Sequence, residues 1–346
     1  YPVSDMLVFI GEGSPNSILE RNTLNNMPKT INYDNVNDDV ILNRLFVKNG
    51  RLTLPEGTNY KALVLKNHHK MTLPLLRKLA EFSKQGVQIV GDEPKQIANY
   101  VSNKADQAEF DRLVKEIWSR DNTISVGHQI QWEQLYKELG LAYDLEVTNA
   151  KDTKKGIAYT HRKVDNKDVY FLANTEGEAK VLELKISKQD FKDISSIEHW
   201  DAMTGEMQQV AQYTESADFV EIPLWLKDEE SAFIIIKQEE GTQPVVVTTV
   251  KASQSKQPAV ATRPITLSGQ AQDSVQLEVA TNDTYEVTYS NGTSTQVNVD
   301  NVPAAFGITS PWTLTFNRLP NLKPIVTKEL FDWSEHENDD IKHYSG

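Results

Sequence analysis

The sequence predicts an open α/β sheet followed by antiparallel β domains, and three observations carry that prediction. Up to about residue 140, short runs rich in Val, Leu and Ile alternate with amphipathic segments. Beyond that point the apolar period drops from the helical value to two. Asn-Gly and Asp-Asn pairs then separate alternating runs, where hairpin turns belong.

In the first part, "MLVFIG" and "YKALVLKN" read as buried strands of the parallel kind. "DNVNDDVILNRLF" places Val36, Val40, Ile41 and Leu45 at helical spacing. "FVKNGRLTLPEG" reads as a hairpin around Asn49-Gly50. "TLPLLRKLAEFSKQG" opens on Thr72 as N-cap, carries Pro74 in its first turn and stops at Gly86. "VQIVG" returns as a strand, and "DQAEFDRLVKEIWSR" and "QWEQLYKELG" continue the helices to Gly140. Residues 1–140 are therefore expected to form an open sheet of flavodoxin-like kind. "GIAYTHRKVDNKDVYFLANTEG" gives two strands about Asp165-Asn166, and "KVLELKIS", "DFVEIPLWL" and "SAFIIIKQ" extend the pattern into a β-sandwich-like domain over 141–240. Residues 241–264, polar and Ser/Thr/Pro-bearing, read as a linker or edge strand. Residues 265–346, with a turn at Asn291-Gly292, read as the start of a further β-sandwich of jelly-roll type, truncated at its end.

Composition narrows the function. Of 346 residues, 49 are acidic and 36 basic, a formal charge of −13 that argues against a nucleic-acid partner. No apolar run reaches the roughly 20 residues of a membrane span. The chain has no cysteine, which removes disulfides, thiolate metal sites and cysteine nucleophiles. It opens at Tyr1 without an initiator Met or signal segment, and is expected to be an internal piece of a longer protein.

The motifs offer modest chemistry. "DMLVFIGEGSPNS" lacks the third glycine of a dinucleotide fingerprint, and Glu12 sets a negative charge where phosphates would lie. It reads instead as a strand exit, a tight turn and a helix with Ser14 as N-cap and Pro15 at its first position. "YDNVNDDV" gathers Asp34, Asn37 and neighbouring acids. That composition suits a metal or sugar hydroxyls, or else helix capping by Asp34 or Asn35. His68 and His69 are adjacent and point to opposite faces of an extended chain, a poor metal pair. In "THRK", His161 and Arg162 either hold a polar ligand or sit on a solvated hairpin edge. Trp200, Trp225, Trp312 and Trp333 either stack on sugar rings or fill cores and edges.

Several of these segments, in order, resemble one family. "DMLVFIGEGSPN", "YDNVNDDVILNRLFVKNGRLTLPEGTNYKALVLKN", "MTLPLLRKLAEFSKQGVQIVG", "IAYTHRKVDNKDVYFLAN" and "HWDAMTG" are similar to the region downstream of the barrel in bacterial α-L-rhamnosidases of glycoside hydrolase family 106. "LFDWSEHENDDIKHYSG" is similar to the opening of the β-sandwich that closes many of these enzymes. The resemblance implies a secreted or periplasmic, multi-domain enzyme that degrades complex polysaccharide. It also implies an inverting mechanism assisted by Ca²⁺, with the catalytic carboxylates and metal ligands on an upstream barrel of the same polypeptide. No catalytic residue is then expected here. His161 and Arg162, followed by Asp34 and Asn37, become the candidates to contact carbohydrate. The first domain also resembles class I amidotransferase-like domains, whose activity needs the cysteine this chain lacks. A non-catalytic carbohydrate-binding or scaffold module, and the accessory region of a β-galactosidase-type glycosidase, stand as alternatives.

Overall fold

A computed structural model describes residues 1–13, 17–66, 68–98, 103–127, 129–148, 156–189, 191, 193–253, 266–268, 275–304, 307–317 and 322–344. Two compact units emerge, Tyr1–Asp300 and Asn301–Gly346.

The first unit begins with five parallel strands: β1 (Met6–Phe9), β2 (Tyr33–Val36), β3 (Ala62–Leu65), β4 (Gln88–Val90) and β5 (Thr123–Ile124). Their spatial order is β2-β1-β3-β4-β5. The helices are α1 (Asp38–Asn43), α2 (Leu73–Lys84), α3 (Lys104–Trp118) and α4 (Trp132–Glu138). Strand alternation divides the core in two. Leu7, Phe9, Leu63 and Leu65 pack with Leu75, Leu76, Phe82 and Phe110 from α2 and α3. Met6, Val8, Ala62 and Val64 pack on the other face with Leu24, Ile31, Trp132 and Leu135. The helix α2 starts where the sequence places it: Thr72 Oγ1 accepts the Leu75 N–H, and Gly86 beyond its end takes φ +87°.

Among the described residues, the helix expected after Pro15 does not form. Ser14 and Pro15 lie outside the described residues, and residues 17–32 form turns and irregular chain. Arg21 Nη1 donates to the Ile31 carbonyl at 2.7 Å, Leu19 N–H donates to Asn35, and Leu24 and Ile31 bury completely. This segment covers the sheet face that a crossover helix would otherwise cover, satisfying its backbone with side chains.

Two antiparallel sheets follow. One comprises β6 (Leu145–Thr148), β9 (Lys180–Ser187), β12 (Thr214–Glu215) and β13 (Phe219–Leu226), in the order β6-β9-β13-β12. The other comprises β7 (Ile157–Val164), β8 (Lys167–Asn174), β10 (Ile194–Asp201), β11 (Met207–Gln209) and β14 (Ser231–Gln238), in the order β7-β8-β14-β10-β11. Their inward residues share one core, including Leu172, Leu184, Ile222 and Ile234. A smaller sheet pairs β15 (Val247–Ala252), β16 (Asp283–Tyr289) and β17 (Ser294–Val299), with β15 at its edge. Residues 254–264 of the expected linker lie outside the described residues.

In the second unit, Trp312–Leu314 pairs with Ile325–Thr327. Trp333–Glu335 forms a 3-10 turn, and Asp339–Lys342 a short helix capped by Asn338. Within the stretch likened to a sandwich opening, Asp332 and Asn338 each cap one of these two short helical turns, and the other described residues are irregular. Trp312 and Trp333 do not fill a core, being 37% and 44% exposed.

Candidate functional site at the domain junction

At the amino ends of the parallel strands, the first domain meets the two-sheet domain. Residues 1–3 run antiparallel to the β7 edge: Val3 N–H donates to the His161 carbonyl at 3.0 Å and Lys163 N–H to the Tyr1 carbonyl at 2.9 Å. The chain then enters β1 through Asp5, which is 2% exposed. Its carboxylate sits 3.1 Å from Lys61 Nζ, and its backbone carbonyl accepts the Lys61 N–H at 2.8 Å. Burial above all, with the charge of Asp144 adding, raises the Asp5 carboxyl pKa against the opposing pull of Lys61.

Across the junction lies a linear array on β7 and β8. His161 points inward with Ile157 and Tyr159, and Asp168 inward with Tyr170 and Leu172, by the period of two. The register pairs His161 with Tyr170, so Asp168 is its diagonal neighbour. His161 Nε2 lies 2.8 Å from Asp168 Oδ1, and Nδ1 lies 3.0 and 3.1 Å from the two oxygens of Asp144. Ionised carboxylates only accept, so filling both contacts requires an N–H on each ring nitrogen, the imidazolium form. Burial, the largest single influence, opposes that charge, but the hydrogen bonds and charges of the two aspartates outweigh it and raise the His161 pKa. Tyr170 stacks on the imidazole at 4.0 Å and donates its hydroxyl to Asp144 at 3.1 Å. Gln238 donates to the other Asp168 oxygen. Tyr159 reaches back to the first domain, donating to the Thr30 carbonyl at 3.2 Å.

Between the two halves a cleft of about 60 Å³ is lined by Asp5, Arg51, Lys61, Asp144, His161 and Lys163, among others. It has room for roughly four waters and is well below the ~300–1,000 Å³ of common small-molecule sites. Among the described residues, no group of three or more His, Asp or Glu side chains is placed to hold a metal ion.

The structure separates the four residues expected to contact carbohydrate. His161 lines the cleft, with both nitrogens committed to aspartates. Arg162 is exposed on the opposite face of β7. Asp34 on β2 accepts the Tyr60 hydroxyl at 3.0 Å. Asn37, rather than Asp34 or Asn35, caps α1 by accepting the Val40 N–H at 3.1 Å. Asp5, Lys61, Asp144 and Asp168 were not singled out from sequence. A usable signal existed in "KDVYFLAN", where an Asp shares the inward face of a strand with Tyr170 and Leu172 and so demands a buried partner.

Comparison with known proteins gives this architecture its class, the glycoside hydrolases. The sequence model of glycoside hydrolase family 106, described as alpha-L-rhamnosidase, matches residues 1–215, more than half of the chain, and the chain belongs to that family. A putative beta-glucuronidase of Formosa agariphila is 28% identical over 236 residues, covering 68% of this chain and 19% of its own. The rhamnosidase of Novosphingobium sp. PP1Y shares the fold with a TM-score of 0.59 at 22% identity, over 72% of this chain and 25% of that one. The chain thus spans a fifth to a quarter of these relatives. Among the described residues, no helix is long and apolar enough to cross a membrane.

Proposed function

We propose that this chain is the accessory, C-terminal region of a multi-domain α-L-rhamnosidase. In this reading an upstream barrel of the same polypeptide carries the acid, the base and any Ca²⁺ ligands, and inverts the anomeric centre of a complex polysaccharide outside the cytoplasm. The observation that carries the reading is the closed junction. Its one histidine has both ring nitrogens on aspartates around a cleft of about 60 Å³, an arrangement suited to fixing two domains rather than to enclosing a sugar. The short coverage of both relatives supports the same view. The β2-β1-β3-β4-β5 order supports a flavodoxin-like first domain, and the shared core of the two antiparallel sheets supports a β-sandwich for the second.

The test compares the 346-residue chain with the longer polypeptide on an aryl α-L-rhamnoside. The chain alone is expected to be inert, and the longer polypeptide to release the inverted sugar, read by NMR of the first-formed anomer. Turnover by the chain alone overturns the accessory reading. The name of the Formosa relative favours a second reading, in which the scissile sugar is a uronide. Release from an aryl β-D-glucuronide in place of the rhamnoside would establish it.

A further inference from the structure

The outward face of the sheet β7-β8-β14-β10-β11 carries a row of large side chains that the junction does not use. Its register aligns Thr160, Phe171, Phe233, Trp200 and Met207 across five strands. The three aromatic residues are half-buried, the Phe171 and Phe233 rings lie 4.8 Å apart, and Met207 is 64% exposed. Three strands at about 4.8 Å spacing make the aromatic part roughly 10 Å wide. Burial normally claims such side chains, so a contiguous row facing outward marks an interaction surface.

The row is braced from the neighbouring positions. Trp200 Nε1 donates to Glu198 at 3.0 Å, and the other Glu198 oxygen accepts Lys237 Nζ. Ile235, whose position also faces outward, is only 2% exposed. The indole is therefore held by a carboxylate that is itself held by an ammonium, and presents a ring of fixed orientation. The outward strand positions also carry Arg162, Lys167 and Lys237 against the single acid Glu198, a cationic face on a chain of net charge −13.

We propose that this face binds an acidic oligosaccharide, its pyranose rings lying on Phe171, Phe233 and Trp200 and its carboxylates meeting Arg162 and Lys167. The C–H face of a pyranose is slightly positive and meets the negative π-face of an aromatic ring. The planar donor fork of Arg162 matches a carboxylate in geometry and charge. The inference rests on the reading of the chain as part of a glycan-degrading enzyme, because that reading supplies a saccharide as the occupant.

Calorimetric titration of the 346-residue chain with a tetrasaccharide of galacturonic acid, and with cellotetraose, tests it. The uronate is expected to bind, and cellotetraose to bind at least tenfold more weakly. Trp200→Ala should weaken uronate binding tenfold or more. Arg162→Gln, on an exposed side chain, should weaken it about threefold and flatten its salt dependence. Equal affinity for the two sugars, no binding of either, or unchanged affinity in both variants overturns the proposal. So does concentration-dependent dimerisation in sedimentation that Trp200→Ala abolishes, which would make the face an interface between copies. Rhamnoside hydrolysis by the longer polypeptide is scored separately. If hydrolysis fails while the uronate binds, the rhamnosidase reading falls and the platform stands; the reverse result removes the platform alone.

Discussion

His161 shows how one buried side chain can hold two carboxylates at once. Replacing it with Leu leaves Asp144 and Asp168 facing an apolar gap, and losing one partner of a buried charged array costs about 3–5 kcal/mol. The pH dependence has a definite sign. A histidine whose folded pKa is raised above 6.5 stabilises the fold fully below that value, and loses the contribution as pH rises through the folded pKa. Urea midpoints of the wild-type chain should therefore fall as pH climbs from 6.5, and those of His161→Gln should change less over the same range. Parallel slopes would show that the imidazole is neutral in the fold. Asp5, also raised, acts in the same direction in the acid range.

At the scale of elements, Asn37 carries a clean prediction. It caps α1 through Val40 N–H, so Asn37→Ala should cost about 1 kcal/mol of stability in urea unfolding. A change within error would mean that α1 is held by Ile41 packing alone. Much at this scale was legible in the sequence. Thr72, Pro74 and Gly86 bracket α2, and the strands "KVLELKIS" and "SAFIIIKQ" fall on their exact residues. The turn at Asn49-Gly50 takes positive φ at both positions, as a tight hairpin demands. What escaped notice has physical reasons. The strand β2 reads Tyr-Asp-Asn-Val, polar because it edges the sheet and its Asp34 answers Tyr60 from outside the sheet. The segment 17–32 holds its place by scattered side-chain-to-backbone bonds, which leave no periodic trace. The acid–histidine–acid array depends on strand register and on Asp144 in a connector, neither of which spacing reveals.

For the molecule as a whole, the junction decides whether two domains behave as one. Asp144 holds both His161 and Tyr170, and the edge strand that carries His161 pairs with residues 1–3, which lead into the first domain. Scanning calorimetry of the wild-type chain is expected to show the first domain and the two-sheet domain melting together. Asp144→Ala should split that transition in two. A single transition in the variant would place the coupling in the strand made by residues 1–3 and in the Tyr159 contact.

The loop that follows β1 has a consequence for what the first domain can be. Its strand order opens a crevice between β1 and β3 at their carboxyl ends, where sheets of this kind receive ligands. Glu12 reaches into that region and takes both the N–H and the hydroxyl of Thr72 at the start of α2. The carboxylate is a guest that never diffuses away, since the chain itself supplies it at a fixed effective concentration. Any free anion would compete against this tethered one. The amino end of α2 is thus satisfied from within, by a carboxylate of its own chain.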